Sequence, residues 1–321
     1  MDFRECLSKS KIVLMEGALG ERLKREYNIT FDEHVAMAGL IYSEQGRKAL
    51  SELWTGYIEI AKKYGFPFIA TTPTRRANKE RVEKSSYSAN IIEDNVKFLR
   101  AVFQAVQNES EQKNSEKTSK IEMYVGGLMG CKGDAYTAEG ALSENDAYEF
   151  HTWTATRFLE AKIDFLYAGI MPALPEAAGL AKAASDTKLP YIISFTVQAD
   201  GKLIDGTSIA DAITYIDEVT ENKPVCYMSN CVHPRIVHQA LSQPFNQTEV
   251  VRTRFRGIQA NTSPLSYAEL DGAKDLKSST PEDFAEEMIR LNKVSSFQIW
   301  GGCCGTDNRH IECLARKLKD R

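Results

Sequence analysis

Tyr191-Ile192-Ile193-Ser194-Phe195 reads as a strand with no face left for water. A strand apolar on both sides of its pleat belongs in a parallel sheet, where helical crossovers cover both faces. Seven further short apolar runs occur, at 11–15, 66–71, 121–125, 164–168, 225–229, 253–259 and 296–300. Extended to 191–196, the opening stretch makes eight. Amphipathic helical segments separate them. Ser208 is placed to cap one helix, with Ile209, Ile213 and Ile216 on one stripe. Thr280-Pro281-Glu282-Asp283 offers a cap, a first-turn proline and acidic first-turn residues, and Phe284, Met288 and Leu291 follow at helical spacing. Ile311, Leu314, Ala315 and Leu318 form a last apolar face. Eight alternations predict one closed α/β domain, a (β/α)8 TIM barrel over 1–321, in preference to an open doubly wound sheet. The polar segment 107–120 is expected to be a flexible surface loop.

The chain is 321 residues long, ample for such a barrel, and its formal net charge of -4 argues against a general nucleic-acid binder. It holds no run of about 18 apolar residues, so no membrane span is expected. Residues 1–10 are polar and carry no apolar leader core, so the expected location is cytoplasmic. Seven cysteines, an odd number, do not form a disulfide framework.

Barrel chemistry sits at the C-terminal ends of the strands. The residues just past each run are Glu16-Gly17-Ala18, Thr71-Thr72, Gly126-Gly127, Gly169-Ile170, Val197-Gln198, Asn230-Cys231, Asn261-Thr262-Ser263 and Gly301-Gly302-Cys303-Cys304-Gly305. Two of these carry cysteine. Zinc prefers thiolates in a tetrahedron, and three protein ligands leave one position open, the mark of a catalytic site. The chain has no Cys-x-x-Cys pair of the kind that closes a structural site. Glycines around the vicinal cysteines permit backbone angles that let both face one metal. Cys226, inside a run, reads as core. His233 and His238, five apart, point to different sides of a helix. His34 and His151 lie away from the strand ends, and His310 follows the glycine-rich turn.

With these motifs the chain resembles the homocysteine S-methyltransferase family, from about Val13 to Leu314. Gly301-Gly302-Cys303-Cys304-Gly305-Thr306, Ser229-Asn230-Cys231 and Glu16-Gly17-Ala18-Leu19-Gly20 carry the resemblance. It implies a (β/α)8 barrel binding Zn2+ through Cys231, Cys303 and Cys304, with homocysteine sulfur at the fourth position. It implies methyl transfer from an onium donor, such as S-methylmethionine or betaine, to give methionine. Its partners are then small molecules, homocysteine and the donor. Glu16, Gly17, Thr72, Asn230, Asn261 and Gly302 are the expected substrate-binding residues. Glu16 stands as a partner for the homocysteine ammonium, and Asn261 as an oxygen ligand in its absence. The chain stops soon after the cysteine pair, so no cobalamin or folate domain is expected.

Two departures stand out. Gly169 occupies the place of a family glutamate that binds the ammonium, and Glu176 reads as part of the next helix. The second strand end reads Thr71-Thr72-Pro73-Thr74-Arg75-Arg76-Ala77-Asn78, placing two cations near the mouth. They leave open a methyltransferase for a different thiol or selenol, or a non-catalytic zinc-binding barrel.

Overall fold

The computed structural model describes residues 1–112, 120–263 and 279–320. Eight parallel strands close into a barrel. They are β1 Val13–Met15, β2 Phe68–Thr71, β3 Met123–Gly130, β4 Phe165–Met171, β5 Tyr191–Phe195, β6 Cys226–Asn230, β7 Phe255–Ala260 and β8 Ile299–Gly302. Closure comes from β1 pairing with β8, Val13 opposite Ile299 and Leu14 opposite Trp300. The caps expected from sequence form: Ser208 accepts from the Asp211 amide, and Thr280 from that of Asp283. Among the described residues no helix is long and apolar enough to cross a membrane.

Strand alternation divides the apolar residues into two cores. Val13, Met15, Ile69, Tyr124, Phe165, Tyr167, Ile192, Met228 and Ile299 point into the barrel. Leu14, Phe68, Val125, Leu166, Ile193, Tyr227 and Trp300 point outward, against the helices. The helix Phe3–Lys9 plugs the N-terminal mouth. Phe3 stacks on Phe165 with ring centroids 4.2 Å apart, and Gln298 Nε2 donates to the Leu7 carbonyl at 2.6 Å.

Two strands run further than the sequence suggests. Gly126 and Gly127 lie inside β3, and Gly169 inside β4, short of the rim. Glycine ordinarily weakens a strand, which is why these read as ends. They sit inside because aromatic rings need the space: a Cβ at Gly126 would lie 2.5 Å from the Phe165 ring, and one at Gly127 2.7 Å from the Phe158 ring. The register of β4 shifts between Ala168 and Met171, where Ile170 adopts φ 57°. The helix Ile91–Gln112 also runs into the segment expected to be loop from residue 107. Polar residues there extend the helix beyond its buried Val102, Phe103 and Val106. Residues 113–119 of that segment lie outside the described residues.

Candidate metal and acceptor site

Cys231 leaves the end of β6 in the left-handed region, φ 60°. That conformation is costly for a residue with a Cβ, and long-range bonds hold it. Its amide donates to the Gln259 carbonyl at 2.9 Å, and Asn261 Nδ2 donates to its carbonyl at 3.3 Å. Cys303 and Cys304 follow β8 in a turn pinned on both sides. The Cys303 amide donates to the Ala260 carbonyl at 2.6 Å, and Thr306 Oγ1 donates to the Cys303 carbonyl at 2.7 Å. The flanking glycines are required. A Cβ at Gly302 would lie 2.4 Å from Thr306 Oγ1, and Gly305 holds φ 82° with Thr262 Oγ1 2.0 Å from its Cβ position.

The three Sγ atoms lie within 4.8 Å of one another, the one such metal-competent group among the described residues. Cys231 and Cys304 sulfurs are 3.6 Å apart. Four ligands about 2.3 Å from a tetrahedral zinc stand about 3.8 Å from each other, so the triangle fits that ion. Cys231 is buried, Cys303 half-buried and Cys304 exposed, so one side opens to solvent. Hydrogen bonds from Cys303, Cys304 and Tyr136 hold the Cys231 thiol well below its usual range. The same contacts push Cys303 and Cys304 up.

Tyr136 was not singled out by the sequence. Its hydroxyl donates to Cys231 Sγ at 3.1 Å. It arrives on the loop after β3, which its own polar groups shape. Asp134 Oδ1 accepts from the Tyr136 and Thr137 amides, both at 2.8 Å. Buried Glu176 clasps both ends of the loop, accepting from the Lys132 amide at 2.7 Å and the Leu142 amide at 3.3 Å. His151 Nε2 lies 3.3 Å from the same carboxylate. Glu176 does belong to the helix Leu174–Asp186. The Gly133-Asp134 turn was the one local signal for this loop, and nothing local says where a tyrosine two residues later will point.

The expected substrate-binding residues fare unevenly. Glu16 is turned into the barrel wall and is 1% exposed. Its Oε1 accepts from Thr71 N at 2.9 Å and Thr71 Oγ1 at 2.7 Å; its Oε2 accepts from Trp54 Nε1 at 2.7 Å. Burial raises its pKa to about 7 against the opposing pull of those bonds. Both of its oxygens are thus bonded within the fold. Thr72 ties the end of β2 to β3, accepting from the Leu128 amide at 3.2 Å. Asn230 Oδ1 accepts from the Ile170 amide at 2.8 Å and Ser194 Oγ at 2.7 Å, bracing the β4 irregularity. Asn261 Oδ1 accepts from the Ser263 amide at 3.0 Å, so Asn261 supports Cys231 from behind and Tyr136 faces its sulfur. Gly17 lies against the Tyr57 ring, 2.8 Å from where its Cβ would stand, and the Gly302 amide donates to the Glu16 carbonyl at 2.9 Å. His310 caps the helix Asn308–Lys319 with Asp307, and its Nε2 lies 3.1 Å from the Ser279 carbonyl oxygen.

A family model described as homocysteine S-methyltransferase matches residues 13–318. A curated relative, homocysteine S-methyltransferase YbgG of Bacillus subtilis (strain 168), is 31% identical over 87 residues. That stretch covers 27% of this chain and 28% of the relative. Among solved structures, the metallated form of the homocysteine methyltransferase MmuM from Escherichia coli superposes with a TM-score of 0.75 at 18% identity, covering 98% of this chain and 99% of that one. Its oxidised form gives 0.74 at 18% identity, covering 97% of each chain. At this identity the likeness is one of fold, and the family model carries the assignment: this chain belongs to the homocysteine S-methyltransferase family.

Proposed function

We propose that the chain is a zinc-dependent methyltransferase that moves a methyl group from an onium donor to the sulfur of homocysteine, giving methionine. The observation that carries this reading is the convergence of Cys231, Cys303 and Cys304 sulfurs at the barrel mouth with one side open to solvent. Zinc held by three thiolates would keep an incoming thiol deprotonated near neutral pH. The thiolate lone pair forms the new S–CH3 bond as the donor's onium–CH3 bond breaks, and the donor leaves as a neutral thioether or amine. No general base is needed at the reacting sulfur.

The chain's own groups supply placement. The Asn261 amide and the Gln259 carbonyl fix the backbone of Cys231. The Tyr136 hydroxyl draws charge from its sulfur through a hydrogen bond. Zinc-loaded protein, assayed with homocysteine and a panel of onium donors, is the test. Tight zinc binding with no thiol-dependent methyl transfer from any donor would leave a zinc-binding barrel and defeat the enzyme reading.

A second reading, a different thiol or selenol acceptor, has its own support. Gly169 continues the inward alternation of Phe165 and Tyr167, and a Cβ there would lie 2.8 Å from Leu128 Cδ1. An apolar side chain thus fills the space where a carboxylate would project, and Glu16 is committed elsewhere. Competition of other small thiols and selenols against homocysteine separates the two acceptors.

A further inference from the structure

We propose that Arg75 and Arg76 form the receptor for the carboxylate of the methyl donor. The inference rests on the methyl-transfer reading above and adds to it the chemical class of the donor, an onium compound that also bears an acid group.

Both side chains are half-buried, and among the described residues neither makes a hydrogen bond or ion pair through its guanidinium. The turn that carries them is rigid. Thr74 Oγ1 donates to the Leu128 carbonyl at 2.9 Å, Thr72 and Thr74 hydroxyls lie 2.8 Å apart, and the Ala77 amide donates to the Thr74 carbonyl at 2.8 Å. A solvated basic turn has no need of such mounting.

The direction of Arg75 comes from β3. Tyr124 and Leu128 face the barrel interior, while Val125 and Met129 face the helices. Gly130 therefore falls on the inward side, at the mouth. A Cβ there would lie 2.5 Å from Arg75 Cγ, so the arginine stem crosses the top of the lumen where Gly130 has no side chain. Arg76 adjoins the loop that delivers Tyr136. Burial, and then the charges of Arg75 and Arg81, raise the cost of its own charge. Asp134 lies in its field, but that carboxylate shapes the loop through the Tyr136 and Thr137 amides. Like charges held together with neither guanidinium in an ion pair are relieved by an incoming anion, and paired guanidiniums suit a carboxylate.

The position favours the donor over the acceptor. The sulfurs stand at the ends of β6 and β8, and Arg75 and Arg76 follow β2. In the eight-stranded ring β2 lies opposite β6. A molecule with its carboxylate on the arginines would extend its onium methyl across the mouth toward the acceptor sulfur.

Single variants Arg75→Ala and Arg76→Ala, with the charge-keeping Arg76→Lys, test this in the zinc-loaded full chain. Each protein is assayed with S-methylmethionine and betaine, and with trimethylsulfonium, which has no carboxylate. The alanine variants are expected to raise KM for the better carboxylate-bearing donor about tenfold or more. They should leave trimethylsulfonium turnover, homocysteine KM and zinc content unchanged, with Arg76→Lys intermediate. Equal effects on both donor types, or none, overturn the proposal. A rise in homocysteine KM with trimethylsulfonium as donor overturns it too, since the arginines would then hold the acceptor. Calorimetric binding of S-methylmethionine separates this from the reading beneath it. Binding lost in Arg76→Ala without turnover in any protein keeps the receptor and sinks methyl transfer. Turnover and binding that survive the substitution do the reverse.

Discussion

The two mouths of the barrel are built on opposite principles. At the N-terminal mouth the helix Phe3–Lys9 inserts Phe3, Cys6 and Leu7 onto Phe165, Val13 and their neighbours. That end is apolar, close-packed and stapled by Gln298. At the C-terminal mouth the buried residues include a polar set: Glu16, Thr72, Asn230, Asn261 and Thr262. There the backbone holds Ile170 and Cys231 at positive φ. Thr262 Oγ1 is buried with no hydrogen-bond partner among the described residues. One end stabilises by removing apolar surface from water. The other holds strained backbone and desolvated polar atoms, which persist only because the rest of the fold over-determines them. The proposed binding and chemistry belong to the second end.

If that division is right, changes at the two ends should separate cleanly. The largest effect is expected from Cys303→Ala: zinc per chain, measured by elemental analysis, should fall to background, and methyl transfer should vanish with it. Full zinc retention would break the ligand assignment. Phe3→Ala should cost about 3–5 kcal/mol in denaturant unfolding, as large-to-small core substitutions do, with zinc content unchanged. A destabilisation under about 1 kcal/mol would mean that the plug is not part of the cooperative core.

Glu16→Gln sharpens the contrast, because this residue lies at the reactive end and serves the fold. It should cost about 1–3 kcal/mol, through a carboxylate oxygen replaced by a donor facing donors. Homocysteine KM should stay within about twofold, since a lost ammonium contact would cost far more. A selective rise in that KM would restore Glu16 as a substrate residue. The pH dependence has a definite sign. With its folded pKa raised from 4.5 to about 7, Glu16 binds its proton more tightly in the folded state. Its contribution is complete below 4.5 and is lost as pH rises through about 7. Thermal stability of the native chain should therefore decline over that window relative to the Gln variant. The smallest effect is expected from Tyr136→Phe: zinc retained, and methyl transfer changed about three- to tenfold, the scale of one hydrogen bond of about 1 kcal/mol. Identical kinetics would remove the hydroxyl from the mechanism.

All eight strands and the vicinal-cysteine rim were legible because they rest on local signals: short apolar runs, helix caps and glycines beside cysteines. The misreadings share a cause. Gly126, Gly127 and Gly169 read as strand ends because glycine is a local breaker, whereas Phe165, Phe158 and Leu128, remote in sequence, fill the space beside them. Glu16 sits at the expected strand end, but its side chain goes to Trp54 and Thr71, 38 and 55 residues away.

What the sequence determined by itself is the barrel and the presence of Cys231, Cys303 and Cys304 on its rim, since strand period and strand-end position are properties of neighbouring residues. Only the tertiary structure decided which way the rim side chains face. It turned Glu16 into the wall, brought Tyr136 95 residues along the chain to Cys231, and laid Arg75 across Gly130. The physical reason is that a side chain's direction at a strand end follows from the partners the closed barrel brings beside it, and those partners are distant in sequence.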